Sequence, residues 1–247
     1  MMHKNNTKLI LLTALISISN ISLAEKAPFE SSYEPLPSTN TIFRNANIYD
    51  GEGNEFSETD LLIKDGKIIS MGTDLPGSPE FIEVDASGKW ITPGIIDIHS
   101  HMGVYSAPSV SSSSDGNEST SPITADVWAE HSIWTQDPQF ALALKGGVTT
   151  FHVLPGSANL IGGRGVTAKN LQRNTINSMK FPNAPHTLKM ACGENPKRVY
   201  GNRKQAPSTR MGNIAGYRKA WIEAESYLSR LDEYESKSDE AKEIGYK

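Results

Sequence analysis

Two histidines at alternate positions, His99 and His101, are the residues of this chain best suited to chemistry. They follow a Pro-Gly turn and a short apolar segment, residues 95–98, which predicts a buried strand. Side chains alternate between the two faces of a strand, so Asp97, His99 and His101 are predicted to share one face. Two imidazoles on one face can reach the same ion, and imidazole is the commonest metal ligand in proteins. The pattern therefore predicts a divalent metal site, although an isolated His-x-His also occurs in ordinary turns.

The stretch Thr92-Pro-Gly-Ile-Ile-Asp-Ile-His-Ser-His-Met-Gly103 resembles the first barrel strand of the amidohydrolase superfamily, in particular its imidazolonepropionase-like and prolidase-like members. The segment Gly147-Val-Thr-Thr150 is similar to the second strand of that family, and the resemblance runs from about residue 41 to the end. It implies a TIM barrel beside a small β-sandwich domain. It also implies hydrolysis of carbon–nitrogen bonds, in cyclic amides or dipeptide-like substrates, by a metal-activated water.

The resemblance extends to further site residues. It implies that His99 and His101 bind one or two divalent ions, most simply zinc, and that Asp97 orients a histidine. Lys189 lies within an apolar strand, residues 187–191, and is similar to the strand lysine that becomes carboxylated and bridges two metal ions in this family. Glu194 is the alternative carboxylate ligand. A lysine reaching out to solvent and an ordinary loop glutamate are the simpler explanations of these two residues.

A glycine-rich segment, residues 156–165, follows the strand at 148–154 and predicts a loop. It lacks the Gly-Lys-Ser/Thr pattern of a nucleotide-binding P-loop. Arg164 within it is a candidate for binding a substrate carboxylate, because a guanidinium group forms paired hydrogen bonds with carboxylates. A purely structural arginine in a tight loop is the alternative.

The elements that position these residues indicate an α/β fold. Strand patterns on both sides of Asp65-Gly66 predict a hairpin, and residues 41–91 as a whole predict a small antiparallel β-sandwich domain. In residues 92–247, Asp137-Pro138 and Gly146-Gly147 bound a predicted helix between two strands, which is a βαβ unit. This part is predicted to be the N-terminal portion of a (β/α) barrel. It ends in a long helix with an apolar stripe from about residue 209.

The N-terminus predicts an exported protein. Basic residues, an apolar run at residues 9–18 and Ser22-Leu-Ala24 are the parts of a signal peptide, residues 1–24, followed by a linker at residues 25–40. We therefore expect a periplasmic protein without a membrane span after cleavage. The single cysteine excludes an internal disulfide framework. A net charge of -4 with scattered basic residues argues against nucleic-acid binding.

The length sets a further expectation. The 247-residue chain has 157 residues after Trp90, whereas a TIM barrel takes about 250. The later histidines of the family and its general-base aspartate are not recognisable, so the general base is predicted to be absent. We expect a truncated, split or interrupted enzyme, inactive in isolation, whose barrel a second chain would complete around a small amide substrate. The alternative is a non-catalytic or partner-dependent exported fragment.

Overall fold

The computed structural model describes residues 29–237, and its helices and strands all belong to one compact unit that begins at Ser31. The predicted signal peptide lies outside the described residues. Residues 31–40 have no regular secondary structure, yet the backbone N–H of Ser32 donates to the carbonyl of Asn177 at 2.9 Å. Within residues 29–237 no helix is long and apolar enough to cross a membrane.

The first sheet has five strands: β1 (Thr41–Tyr49), β2 (Glu55–Lys64), β3 (Lys67–Gly72), β4 (Ile82–Asp85) and β5 (Trp90–Ile91). Strand β2 is antiparallel to β1 and β3, but β4 and β5 both pair with β1 in parallel. The prediction of a purely antiparallel sandwich is therefore wrong in its pairing. The chain returns to the start of β1 before β4 begins, so that Thr41 pairs with Ile82 and both strands run the same way.

The predicted hairpin is confirmed. Lys64 pairs with Lys67 across a two-residue turn, in which Asp65 and Gly66 have φ values of 51° and 73°. Positive φ at both positions is what a turn of type I′ requires, and Asp-Gly adopts it at low cost.

The second sheet has four strands in the order β6 (Ile95–Ser100), β7 (Val148–Val153), β8 (Ile161–Lys169) and β9 (Thr187–Met190). Strands β6 and β7 are parallel and are joined through helix α1 (Pro138–Lys145), which confirms the predicted βαβ unit. Strand β8 is antiparallel to both of its neighbours. It occupies the second half of the segment predicted as a glycine-rich loop, so the expected run of parallel strands is interrupted. The result is a mixed α/β fold with an open sheet.

Helices and a buried cluster support this sheet. Asp137 caps α1 by accepting from the backbone N–H of Gln139, and Gly146 ends the helix, as predicted. Helix α2 (Glu194–Asn202) follows β9, and α3 (Arg210–Glu235) begins after its cap, Thr209. The buried cluster consists of Val104, Ala129, Phe140, Phe151, Val153, Val166, Ala168 and Met179.

Several apolar side chains lie outside any core. Ile96 and Ile98 of β6 are 62% and 76% exposed, so the prediction of a buried strand is wrong for these residues. The apolar stripe of α3 is also open to solvent, with Ile214 and Trp221 each 50% exposed. The cause is that β6 is an end strand of the sheet, and residues 29–237 place no further layer over its isoleucines.

The composition of the serine-rich segment at residues 106–122 predicts a lack of order. Its backbone is nevertheless bound by residues outside it. Asp115 N–H donates to the Val104 carbonyl at 3.0 Å, and the Gly116 carbonyl accepts from Gly156 N–H at 2.6 Å. The buried amide of Asn159 donates to the carbonyls of Glu118 and Ser121. These long-range bonds replace the apolar contacts that the composition cannot provide.

Candidate functional site

His99, in β6, and His101, just after that strand, lie close together. The ring centroids of His99 and His101 are 5.2 Å apart and the ring planes are nearly perpendicular. Nδ1 of His101 lies 2.8 Å from the carbonyl oxygen of Leu154. A carbonyl only accepts, so Nδ1 carries a proton, and the neutral ring with this bond has its lone pair on Nε2. This is the tautomer and the kind of hydrogen bond that a metal-binding histidine commonly has.

A bulge in β6 changes the predicted alternation of its side chains. Asp97 pairs with Phe151 and Ser100 with Val153, so β6 carries one residue more than β7 in this interval. The bulge frees a backbone N–H from the ladder. Asp97 Oδ1 accepts from the backbone N–H of His99 at 3.0 Å. Asp97 therefore stabilises the bend before the histidines, whereas the sequence predicted that it would orient a ring.

Lys189 of β9 reaches the same place. Its side chain is buried, with the residue 7% exposed, and its Nζ lies 3.2 Å from Nε2 of His99. Burial lowers the pKa of Lys189. The charge of Lys189 is the main reason why the pKa of His99 is lowered, with burial and His101 acting the same way and Asp97 opposing them. The predicted juxtaposition of Lys189 with the histidine pair is thus present in the structure.

A third histidine faces this site from β7. Nδ1 of His152 is 2.9 Å from the Thr167 hydroxyl, and its Nε2 is 2.8 Å from the Thr187 hydroxyl. Strands β6, β7 and β9 run in the same direction, so His99, His152 and Lys189 all lie toward carboxyl ends of strands. Active sites of parallel α/β folds gather at that edge of the sheet.

Arg164 is not brought to the histidines. It stands on the face of β8 opposite Gly165, whose missing side chain faces His152 and Thr187. Its guanidinium carbon lies 4.3 Å from the ring centroid of Trp128, which is a cation–π contact. The geometry favours a structural contact here, and substrate binding by Arg164 remains a prediction.

Glu194 also lies apart from the pair. It is the first residue of α2, is exposed, and forms an ion pair with Lys197 at 3.0 Å. A hydrogen bond from Lys197 lowers the pKa of Glu194, with the charge of Lys197 adding to the effect. No contact in the described chain links Glu194 to Lys189 or the histidines, so its role as a metal ligand also remains a prediction.

A cavity of about 280 Å³ lies beside the site. Residues 114–118 and 127–129 line it together with Val104, Ser132, Pro155 and Gly162. Pro155 follows the residue whose carbonyl binds His101, and a Cβ at Gly162 would lie 3.7 Å from Cγ of Lys189. Two wall residues of the cavity are therefore next to residues of the histidine–lysine site, and the size of the cavity suits part of a small molecule.

The residues present fit part of a metal site. Two imidazoles that share one zinc ion place their ring centroids about 5 Å apart, which agrees with the spacing of His99 and His101. The buried lysine adds an amine of lowered pKa beside them. Among residues 29–237, however, no three His, Cys, Asp or Glu side chains converge as a metal site would require. Residues 29–237 thus bring together two imidazoles and a lysine, which is not a full set of metal ligands.

Two contributors were missed by the sequence reasoning. The Leu154 carbonyl has no sequence signal because any residue has a carbonyl. Thr187 could have been recognised from the sequence, because it is two positions before Lys189 on a strand and so shares its face.

Comparisons with known proteins of similar sequence and structure indicate the family of this chain. No family model matches the chain. It is 35% identical to Amidohydrolase tasK from Hapsidospora irregularis over 224 residues, which are 86% of this chain and 22% of tasK. It is 39% identical to a dihydroorotase from Lactobacillus acidophilus over 61 residues, 25% of this chain and 13% of that enzyme.

A solved amidohydrolase from Thermotoga maritima MSB8 is 38% identical and superposes with a TM-score of 0.73, covering 80% of this chain and 50% of that one. The chain thus spans half or less of the length of these relatives. Sequence and fold agree, and the chain belongs to the amidohydrolase superfamily, of whose members it matches the N-terminal portion.

Proposed function

We propose that this chain is part of a metal-dependent hydrolase that cleaves a carbon–nitrogen bond in a small amide or dipeptide-like substrate. The observation that carries the proposal is the meeting of His99, His101 and Lys189 at the carboxyl ends of two strands that run in the same direction. Amidohydrolase relatives on both sequence and structure support the reaction class.

Each site residue has a role in this proposal. His99 and His101 would hold a divalent ion, zinc in the simplest case. Lys189, if carboxylated, would offer oxygen atoms to that ion or to a second one. Such an ion supplies Lewis-acid chemistry, polarising a carbonyl and lowering the pKa of water. The Leu154 carbonyl holds His101 in one tautomer, and Asp97 holds the bend that brings His99 beside it. The general base is assigned to none of the described residues.

The cavity beside the site is the proposed place for the non-reacting part of the substrate. It has polar walls, with Asp115, Asn117 and Glu118 from the loop after β6 and the ring of Trp128 opposite. A pocket with a few polar groups orients a small molecule by hydrogen bonds.

Export and completion by further polypeptide are part of the same proposal. The signal-peptide pattern at residues 1–24 supports a periplasmic location, and N-terminal sequencing of the protein from a periplasmic extract tests it. The exposed Ile96 and Ile98 favour the alternative of a partner-dependent or non-catalytic protein, in which a second chain covers the edge of β6.

Metal titration tests the proposed site. The double variant His99→Ala with His101→Ala is expected to lose zinc binding measured by calorimetry, while the intact chain binds it. His186→Ala is the matched control, because His186 is exposed and its ring contacts Trp128 and not His99, His101 or Lys189. Equal zinc binding by the double variant and the control would remove the basis for a metal-dependent hydrolase.

A further inference from the structure

A chain of hydrogen bonds crosses three strands beside the candidate site. It runs from Thr167 on β8 to His152 on β7 and on to Thr187 on β9. A neutral imidazole has one donor and one acceptor nitrogen, so the two threonine hydroxyls must take opposite roles. Burial lowers the pKa of His152, with the charge of His99 acting the same way, which favours this neutral form. The ring thus ties β8, which is next to β7, and β9, which lies beyond β8, to β7 through a directional pair of bonds.

The glycine at position 165 makes room for this arrangement. It pairs with Thr187 across the sheet, and a Cβ built on it would lie 2.7 Å from the Thr187 hydroxyl and 2.8 Å from Nε2 of His152. Real Cβ atoms do not approach other atoms so closely. The residue at 165 therefore controls whether the bond between His152 and Thr187 can form.

The bond between His152 and Thr187 matters because Thr187 is a near neighbour of Lys189 on β9. Thr187 and Lys189 share a face, so fixing the Thr187 side chain fixes the position from which Lys189 points. The amine of Lys189 lies 3.2 Å from Nε2 of His99, although no ion pair among the described residues holds it there. A four-residue strand has few ladder bonds, so an additional side-chain tether has a large share in placing it.

We propose that His152 is a positioning residue that, through Thr187, aims Lys189 at His99. The importance of this positioning for catalysis rests on the proposed function. That His152 sets the position of Lys189 does not depend on that function. His152 touches neither histidine of the pair, and no proton transfer is assigned to it.

Long-range ¹H–¹⁵N NMR of the histidine rings tests the proposal without added metal. Thr187→Val keeps the shape of the side chain and removes the hydroxyl, whereas Thr187→Ser keeps the hydroxyl. In Thr187→Val the Nε2 resonance of His99 is expected to move downfield, since this nitrogen loses the hydrogen bond from Lys189. In Thr187→Ser it is expected to stay, and the melting temperatures of both variants should agree closely.

A second pair of variants guards against a folding defect. Gly165→Ala should disturb the same His99 resonance by pushing Thr187 and His152 apart. Gly72→Ala, at the end of β3 in the first sheet, is its control, because a Cβ there meets only Cδ2 of Leu75, at 3.6 Å. An unchanged His99 signal in both Thr187→Val and Gly165→Ala, or an equal shift in Thr187→Ser, would overturn the positioning role.

Zinc titration of the same variants separates the two proposals. With a working metal site, Thr187→Val is expected to weaken zinc binding about tenfold, as loss of a supporting hydrogen bond around a metal site usually does. If the intact chain binds no zinc while the NMR shifts appear, the proposed function fails and the positioning role stands. If zinc binds but the shifts are absent, the positioning role fails alone.

Discussion

His99 and His101 are held in different ways, although one residue separates them. The His101 ring donates to a backbone carbonyl, which the fold supplies whatever the side chains are. Within residues 29–237, the hydrogen bond recorded for the His99 ring is with Lys189, so its state depends on one flexible cation. This arrangement suits a site in which Lys189 changes its charge. The His101 ring keeps its hydrogen bond to the backbone, and only the hydrogen bonding of the His99 ring changes.

Replacing Lys189 by methionine should raise the pKa of His99. The lysine charge is the largest cause of the lowered pKa, since a nearby cation destabilises the imidazolium. Without that cation the protonated ring is less disfavoured and persists to higher pH. An NMR titration of the His99 ring protons measures the shift. Lys219→Met, on an exposed helical lysine, should leave the titration of His99 where it is.

The loop after the histidines depends on one buried carboxylate at the start of α1. Asp137 is 2% exposed and accepts from the backbone N–H groups of Gly103 and Gln139 at 3.0 Å, and from Ala107 at 3.3 Å. It thereby joins the segment behind His101 to the helix. The helix signal in the sequence identified Asp137 as a cap, but not its bonds to residues thirty positions earlier, because those depend on tertiary structure.

Asp137→Ala should lower the free energy of unfolding by about 3 kcal/mol, because buried N–H groups lose their acceptor as well as the helix its cap. Urea unfolding followed by circular dichroism gives the value. The exposed Asp126→Ala serves as the comparison and should change stability little. A cost for Asp137→Ala no larger than that of Asp126→Ala would show that the loop is held by other contacts.

In the first sheet, Asp60 ties β2 to β1 through a buried ion pair. Its carboxylate is 2.6 Å from Nη1 of Arg44 and accepts from the backbone N–H groups of Asn45 and Leu75. Burial alone would raise the pKa of Asp60, but these hydrogen bonds and the arginine charge outweigh it and the pKa is lowered.

Asp60→Asn should therefore destabilise the chain by about 2 kcal/mol at neutral pH, and by less in acid. A carboxylate with a lowered pKa contributes stability above its unfolded pKa of about 4, and this contribution is lost as the pH falls through the folded value. Urea unfolding at neutral pH and near pH 3 measures both. Glu80→Gln, which breaks an exposed pair with Lys64, is the control. A penalty for Asp60→Asn that grows toward acid would contradict the assigned sign.

Local signals account for the parts of the fold that were predicted correctly. Asp65-Gly66 predicted its hairpin and Asp137-Pro138 its helix because each motif acts through its own backbone. The strand at 161–169 was missed because its glycines indicate a loop, whereas here Gly165 is needed for the contact with His152. The bulge at Asp97 was missed because it depends on the register with β7.

Burial is a property of the whole molecule, and here it departs most from the sequence pattern. An apolar strand is expected inside, yet the β6 isoleucines and the α3 stripe lie open. The chain spans half of the Thermotoga maritima amidohydrolase with which it superposes. Residues 29–237 therefore leave apolar surface exposed to water, and this exposure is the main cost to the fold in isolation.

The end strand β6 should make the isolated chain self-associate. No strand within residues 29–237 pairs with its outer edge, and two of its isoleucines are 62% and 76% exposed, which together favour pairing with another copy. Replacing Ile96 by threonine and Ile98 by lysine should reduce association, because a lysine at an edge disfavours edge-to-edge pairing. Little stability should be lost, since neither side chain is in a core. Sedimentation velocity over a range of concentrations measures the effect.

Leu142→Lys on α1 is the matched control, since Leu142 is 64% exposed but lies on a helix. Association that disappears equally in the control would indicate non-specific association through exposed apolar side chains. Association that persists in the β6 variant would show that this edge is not the contact.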